Sequence, residues 1–409
     1  MKRISLLVFF ISLVGCKQEY TPENKIKEDV KILADDSLEG RQTGTEGEKK
    51  AADYIAERFK DMGLEGKGTE GYFQDFSFKP KTDPHQEVQY DVKDGDSTIS
   101  GRNVLGYINN NANKTVVIGA HYDHLGYGAE GSLYRGEKAI HNGADDNASG
   151  VAVMLNLASK LKEANKGNNY LFMAFSGEEM GLLGSNYFVK NSTLKDGEIN
   201  YMLNMDMVGR LKADSTLAVY GVGTSPFFKQ VINASNNSFK IVENESGVGP
   251  SDHTSFYLND IPVLHFFTGQ HEDYHKPGDD SEKLNYKGME AISSYIFDII
   301  TDLDDNGELA FRKTKNESEE VPRFKVGLGV IPDYLYDGKG MRIDGVSEDK
   351  PAIKAGLQKG DIVVKLGDST IVDMMSYMRA LSVFEEGQKT KVTVEREGKT
   401  IEADIEFQP

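Results

Sequence analysis

The sequence predicts an α/β domain with a mainly parallel, twisted sheet flanked by helices, followed by a smaller β-rich domain. Short apolar runs rich in β-branched and aromatic residues alternate with segments of helical periodicity. Ionisable residues follow one apolar run after another, and parallel sheets collect ligands beyond the carboxyl ends of their strands. The polar, proline-containing stretch FRKTKNESEEVPR, from Phe311 to Arg323, reads as a linker over residues 312–322. It separates a large domain, 23–311, from a small one, 323–409.

The chain opens MKRISLLVFFISLVGCKQEY. Lys2 and Arg3 precede an apolar segment, Ile4 to Val14, that is short for a bilayer span and reads as a signal peptide over 1–15. Leu13-Val14-Gly15-Cys16 resembles a bacterial lipobox. In that reading Cys16 is the lipidated first residue of an envelope lipoprotein, and residues 16–22 tether it to the membrane. The alternative is an ordinary signal peptide with a cysteine nearby. Cys16 is the sole cysteine, which excludes internal disulfides and thiolate metal sites.

TEGEKKAADYIAERFKDMGLE predicts an amphipathic helix. Thr45 and Glu48 form a capping-box pattern, Ala52, Ile55, Phe59 and Met62 recur at helical spacing, and Gly63 supplies the stop. NVLGYI and KTVVIGAH predict strands, GVAVMLNLASKLKEA a helix, and NNYLFMAFSGEE, YMLNMDMVG and IPVLHFFTG further strands. SYIFDIITDL predicts a late helix. A net charge of −18 argues against nucleic acid as a partner, and 38% hydrophobic residues suffice for a packed core.

FSGEEMGLLGS places Glu178 and Glu179 side by side after an apolar run. Like charges in a low-dielectric site need compensation. A solvated loop would provide it, but other strand ends carry related groups. His121 follows TVVIGA, Asp206 stands near the end of YMLNMDM, and His271 and His275 follow VLHFFTG. Asp145 and Asp146 precede a helix start. Histidines and carboxylates together are the donors that hard-to-borderline divalent metals take.

These motifs, LEGRQTGTEGE, GAHYDHLG, NGADDNASG, SGEEMGLLGS, NMDM, SDHTSF and YHKPGDD, resemble in content and order those of metallopeptidase family 28, secreted bacterial aminopeptidases with two zinc ions. The resemblance covers roughly Glu28 to Leu303. It implies that His121 and Asp206 bind one zinc, that Glu179 and His275 bind the other, and that Asp146 bridges both across a cis Asp146-Asn147 peptide. It implies Glu178 as the catalytic base, Asp123 as the partner that orients the His121 ring, and Tyr274 as a donor to the oxyanion. In such a site the two zinc ions lower the pKa of a shared water toward about 7 and polarise the scissile carbonyl. Along a strand-like segment adjacent side chains point to opposite sides. Glu179 could then bind metal while Glu178 faces the water.

His124, His141, His253, His265 and His271 match no ligand position. His265 reads as a satisfied core histidine. Asp252 and His253 read as shaping the site or as structural, and Asp145 as support for the turn.

Residues from Arg323 onward resemble a PDZ domain of bacterial envelope proteases, through VGLGVIPDY and AIKAGLQKGDIVVKLGD. The resemblance implies that Gly327, Leu328, Gly329 and Val330 form the loop that receives a peptide's C-terminal carboxylate. The groove could instead pack against the catalytic domain or against another copy of it. The expected function is a zinc aminopeptidase acting outside the cytoplasm on peptides with a free N-terminus. Carboxypeptidase or glutaminyl cyclase-like activity, or a non-catalytic PDZ-led binding protein, remain open alternatives.

Overall fold

The computed structural model describes residues 21–407, apart from 81–88, 91, 94–95, 129–130, 165–166, 305, 315–325, 334, 337 and 348–349. The signal peptide, Cys16 and most of the expected linker lie outside the described residues. Pro22, counted above with the tether, begins the first helix.

Nine strands form one sheet: β1 (Glu65–Gly66), β2 (Phe73–Phe78), β3 (Ile99–Ile108), β4 (Thr115–His121), β5 (Asn169–Phe175), β6 (Ile199–Met205), β7 (Thr216–Tyr220), β8 (Lys240–Asn244) and β9 (Val263–Phe267). Their order is β1-β3-β5-β4-β6-β9-β7-β8, with β2 also on β3. The centre, β5-β4-β6-β9, is parallel. The flanks are mixed, since β3 runs antiparallel to β5, and β7 to β9. Every residue of β4 and β5 is buried, as expected of parallel strands covered on both faces.

The helices are α1 (Pro22–Leu33), α2 (Glu46–Asp61), α3 (Gly150–Ala164), α4 (Leu183–Lys190), α5 (Phe228–Ala234), α6 (His253–Tyr257) and α7 (Tyr286–Asp304). Alternation along the strands divides the core. Val116, Ile118 and Phe172 pack with residues of α1, α2, α3 and α7. Val117, Leu171 and Met173 point the other way, onto Phe188 of α4 and Phe256 of α6.

Helix α2 starts at the predicted cap, where Thr45 Oγ1 accepts the Glu48 N–H at 3.4 Å. The capping box is only half formed. Glu48 turns inward and accepts from the Gly44 N–H and the Ser176 and Tyr122 hydroxyls instead. Buried donors outcompeted the exposed helix end for its carboxylate.

The second domain contains β10 (Val330–Pro332), β11 (Met341–Val346), β12 (Ile362–Leu366), β13 (Ser369–Thr370), β14 (Lys389–Arg396) and β15 (Lys399–Glu406), with helices α8 (Pro351–Lys354) and α9 (Met374–Leu381). It has its own core around Leu328, Ile343, Val363, Leu366, Val392 and Val394. β10 lies at the edge of this sheet. Gly327, Leu328 and Gly329 lead into it, and the Leu328 and Gly329 carbonyls accept the Ala352 and Ser347 N–H groups, each at 2.8 Å. Among the described residues no helix is long and apolar enough to cross a membrane.

Candidate metal centre

The parallel centre of the sheet delivers the predicted groups to one place. His121 is the last residue of β4, Asp206 follows β6, and Glu178 and Glu179 occupy the turn after β5. Asp146 precedes α3 through a cis Asp146-Asn147 peptide, and His275 lies in the loop after β9.

Asp146 stands in the middle. Its Oδ1 is 3.3 Å from His121 Nε2, and its Oδ2 is 3.2 Å from His275 Nε2. Asp206 faces His121 Nε2 at 3.4 Å, and Glu179 faces His275 Nε2 at 3.2 Å. The two rings are held alike. His121 Nδ1 faces the Asp123 carbonyl at 3.2 Å, and His275 Nδ1 faces the Gly131 carbonyl at 2.9 Å. A carbonyl on Nδ1 leaves Nε2 as the lone-pair donor, the arrangement that orients histidine ligands of metals. His275 reaches its position with φ of 54°, a left-handed conformation uncommon outside glycine.

His124, which matched no ligand position, also enters the cluster. Its Nδ1 lies 2.8 Å from Glu179 Oε1 and 4.0 Å from Asp146 Oδ2. His121, Asp146 and Asp206 form one set with ligand atoms within 4.8 Å of one another, and His124, Asp146 and Glu179 form another. On the Glu179 side two imidazoles therefore compete. His275 is favoured because its Nε2 faces both carboxylates at 3.2 Å. The signal for His124 was present in HYDHLG, three residues after His121, but spacing alone did not say which loop it would face.

Asp123 does more than orient His121. Its carboxylate is 3.7 Å from His121 Nδ1, farther than the backbone carbonyl of the same residue. The carboxylate accepts the Glu178 N–H at 3.1 Å, the Glu179 N–H at 3.4 Å and the Thr43 hydroxyl at 3.0 Å. Glu178 and Glu179 are thus not on a strand, as alternation suggested. They sit in a turn whose two amides converge on Asp123, and this turn sends the side chains apart. Glu179 goes to His124 and His275, and Glu178 approaches His121, with Oε2 at 4.0 Å from Nε2.

The electrostatics separate the adjacent carboxyls. Burial pushes Glu178 well above the usual carboxylate range, and the Glu179 and Asp206 charges add to it against His121. Burial also opposes ionisation of Glu179, but His275 and His124 hold it at about 2. Burial disfavours the charged His275, yet Glu179 and Asp146 raise it to about 11. Paired carboxyls pushed apart in this way take different roles, one as a fixed anion and one as a proton carrier.

Arg41, within LEGRQTGTEGE, was not singled out from the sequence. It is fully buried and donates to the carbonyls of Leu33, Tyr122, Asn142 and Gly143. It thereby clamps the segment after His121 to the segment before Asp146. Gly143, with φ of 54°, permits that approach, since a Cβ there would lie 2.1 Å from the Asp146 carbonyl oxygen.

The remaining predicted residues lie around this centre. Tyr274 stacks on His275 with centroids 3.9 Å apart and lines the cleft with Met207, Tyr220 and Phe267. His265 is buried and meets Asn204 at 3.1 Å, as a core histidine would, but it also lines the cleft and stacks on His253 at 4.4 Å. Asp252 is fully buried behind the cluster. Asp145 faces His271 at 3.2 Å and accepts the Gly209 N–H at 2.6 Å, which supports the turn. His141 meets Ser132 at 2.8 Å, away from the carboxylates.

Residues 103–300 match the family model for peptidase family M28, and residues 309–407 match that for a PDZ domain. Over residues 103–300 the large domain is similar to peptidase family M28. Aminopeptidase YwaD of Bacillus subtilis is 31% identical over 194 residues, 44% of this chain and 39% of that protein. A probable leucine aminopeptidase of Arthroderma otae is 31% identical over 207 residues, 46% of this chain and 53% of that protein. The chain spans about half the length, or less, of these curated relatives. An aminopeptidase from Aneurinibacillus sp. strain AM-1 superposes with a TM-score of 0.54 at 18% identity, over 74% of this chain and 97% of that one. Porphyromonas gingivalis glutaminyl cyclase also reaches 0.54, at 16% identity, over 68% and 98%. At these identities the likeness establishes the fold alone.

Proposed function

We propose that the protein is a two-zinc aminopeptidase that removes N-terminal residues from peptides outside the cytoplasm, with its PDZ domain capturing peptides or regulating access. The observation that carries this reading is Asp146, whose two oxygens face His121 on one side and His275 on the other at near-equal distance. Buried Asp146 with half-buried Glu178, Glu179 and Asp206 around it calls for compensating positive charge, and the imidazole–carboxylate donor set fits zinc. His121 and Asp206 would hold one ion, Glu179 and His275 the other, and Asp146 both. The ions would supply Lewis-acid polarisation of the scissile carbonyl and acidify the attacking water.

The chain's own groups account for the remaining chemistry. Glu178 is beside the cluster without belonging to either donor set. Its high proton affinity suits it to take a proton from the attacking water and deliver it to the leaving amine. His124 bonds Glu179 and fixes its second oxygen. The cleft wall of Met207, Tyr220, Phe267 and Tyr274 offers an apolar seat for the substrate's first side chain. Anchoring through a lipid on Cys16 would place the enzyme on the cell envelope.

The test is mass spectrometry of an unblocked mixed peptide incubated with the protein lacking residues before Lys17. A ladder shortened from the N-terminus, abolished by N-acetylation and by a chelator, is the expected result. Shortening from the C-terminus would move the enzyme to the carboxypeptidases, and cyclised N-terminal glutamine to the cyclases.

A further inference from the structure

The large domain's cleft wall is backed by a residue of the PDZ domain. Leu335, in the PDZ domain between β10 and β11, is only 7% exposed, and the buried residues it clusters with are Met207, Ala218, Tyr220 and Phe267 of the M28 domain. Three of those four, Met207, Tyr220 and Phe267, also line the cleft. The fit is close. Leu335 occupies the space beside Gly269, where a Cβ would lie 2.7 Å from Leu335 Cδ1.

The loop that presents Leu335 is held in shape. The Asp333 carboxylate accepts the Leu335 N–H at 3.0 Å and the Arg342 Nε–H at 2.7 Å. The Asp333 N–H donates back to the Arg342 carbonyl at 2.8 Å. The Arg342 guanidinium lies over the Tyr336 ring at 4.7 Å. At the rim of the contact, Lys212 of the M28 domain faces Asp344 of the PDZ domain at 4.0 Å. An apolar anchor with a charged rim is the anatomy of a specific interface.

We infer that Leu335 is a positioning residue for substrate selection: by backing Met207, Tyr220 and Phe267, the PDZ domain sets the shape of the apolar wall that receives the substrate's first side chain. This rests on the aminopeptidase reading above. β10, the strand that would pair with a captured peptide, ends at Pro332, three residues before the anchor.

The experiment uses the zinc-loaded chain from Lys17 onward and its Leu335→Ala and Leu335→Met variants, assayed on leucyl, phenylalanyl and alanyl anilides. Leu335→Ala should lower the leucyl-over-alanyl ratio of kcat/KM by about tenfold, the low end of what one methylene contributes in an apolar pocket, chiefly through KM. Leu335→Met should restore most of it. In parallel, hydrogen exchange of the metal-free proteins should speed up over residues 216–220 and 263–269 in Leu335→Ala, with residues 392–394 of the PDZ core unchanged. A uniform fall on all three substrates, or an unchanged ratio, overturns the inference. If the unsubstituted protein cleaves none of the anilides, the aminopeptidase reading fails instead. Exchange then decides whether Leu335 orders the wall, and unchanged rates overturn it.

Discussion

The Asp123 carboxylate accepts the backbone N–H of Glu178 at 3.1 Å. That bond fixes where the turn after β5 can sit. With Glu179's amide and the Thr43 hydroxyl on the same carboxylate, one buried anion, 0% exposed, organises three segments of chain. Asp123→Asn replaces one acceptor oxygen by a donor that opposes an amide N–H. The turn should then loosen and Glu178 and Glu179 drift together. The expected result is a loss of about 10–100-fold in metal affinity or activity, the usual effect of removing a partner that orients ligands. Competition with a chromogenic chelator measures the affinity, and an unchanged value would reduce Asp123 to a packing role.

Glu178 is expected to separate binding from chemistry. Glu178→Gln keeps the side chain's shape but cannot carry a proton. Metal content by mass spectrometry should stay at the unsubstituted level while kcat falls by about 10²–10⁴-fold. A variant that also lost metal would make Glu178 a ligand, which its 4.0 Å separation from His121 does not favour.

The competition on the Glu179 side is decided by two substitutions. His275→Ala removes the imidazole that faces both Asp146 and Glu179 and should leave one metal ion per chain in place of two. His124→Ala removes a bond to Glu179 alone, so both ions should remain with the second held more weakly. Equal losses in the two variants would mean that both histidines coordinate.

The sequence made the strand-to-loop transitions legible because fully buried parallel strands leave long apolar runs, and the runs of β4, β5, β6 and β9 are followed by groups that the structure brings to the cleft. What it concealed were interactions set by tertiary geometry. His124 lies three residues beyond His121, the end of β4, and only the fold shows that they serve opposite sides of Asp146. Arg41 drew no reading within LEGRQTGTEGE, although its guanidinium is buried among four carbonyls. Leu335 drew no reading at all, because periodicity within one domain carries no information about its neighbour. Local strand geometry misread the Glu178–Glu179 pair, whose divergence comes from a turn tied to Asp123.

Glu48 links this architecture to pH. Burial raises its carboxyl from the ordinary 4.5 to about 8, against the Ser176, Gly44 and Tyr122 donors that favour the charged form. The folded state therefore holds this proton more tightly than the unfolded chain does. Its stabilising contribution is complete below pH 4.5 and is lost as pH rises through about 8. Glu48→Gln mimics the protonated group and retains an acceptor for Ser176 or Gly44. Its melting temperature should fall less than that of the unsubstituted protein as the pH is raised across that window, and the two curves should diverge most at the alkaline end. Thermal melts followed by circular dichroism on metal-free protein check this without interference from ligand titration. Parallel curves would show that Glu48 is already ionised in the fold, held by its three donors.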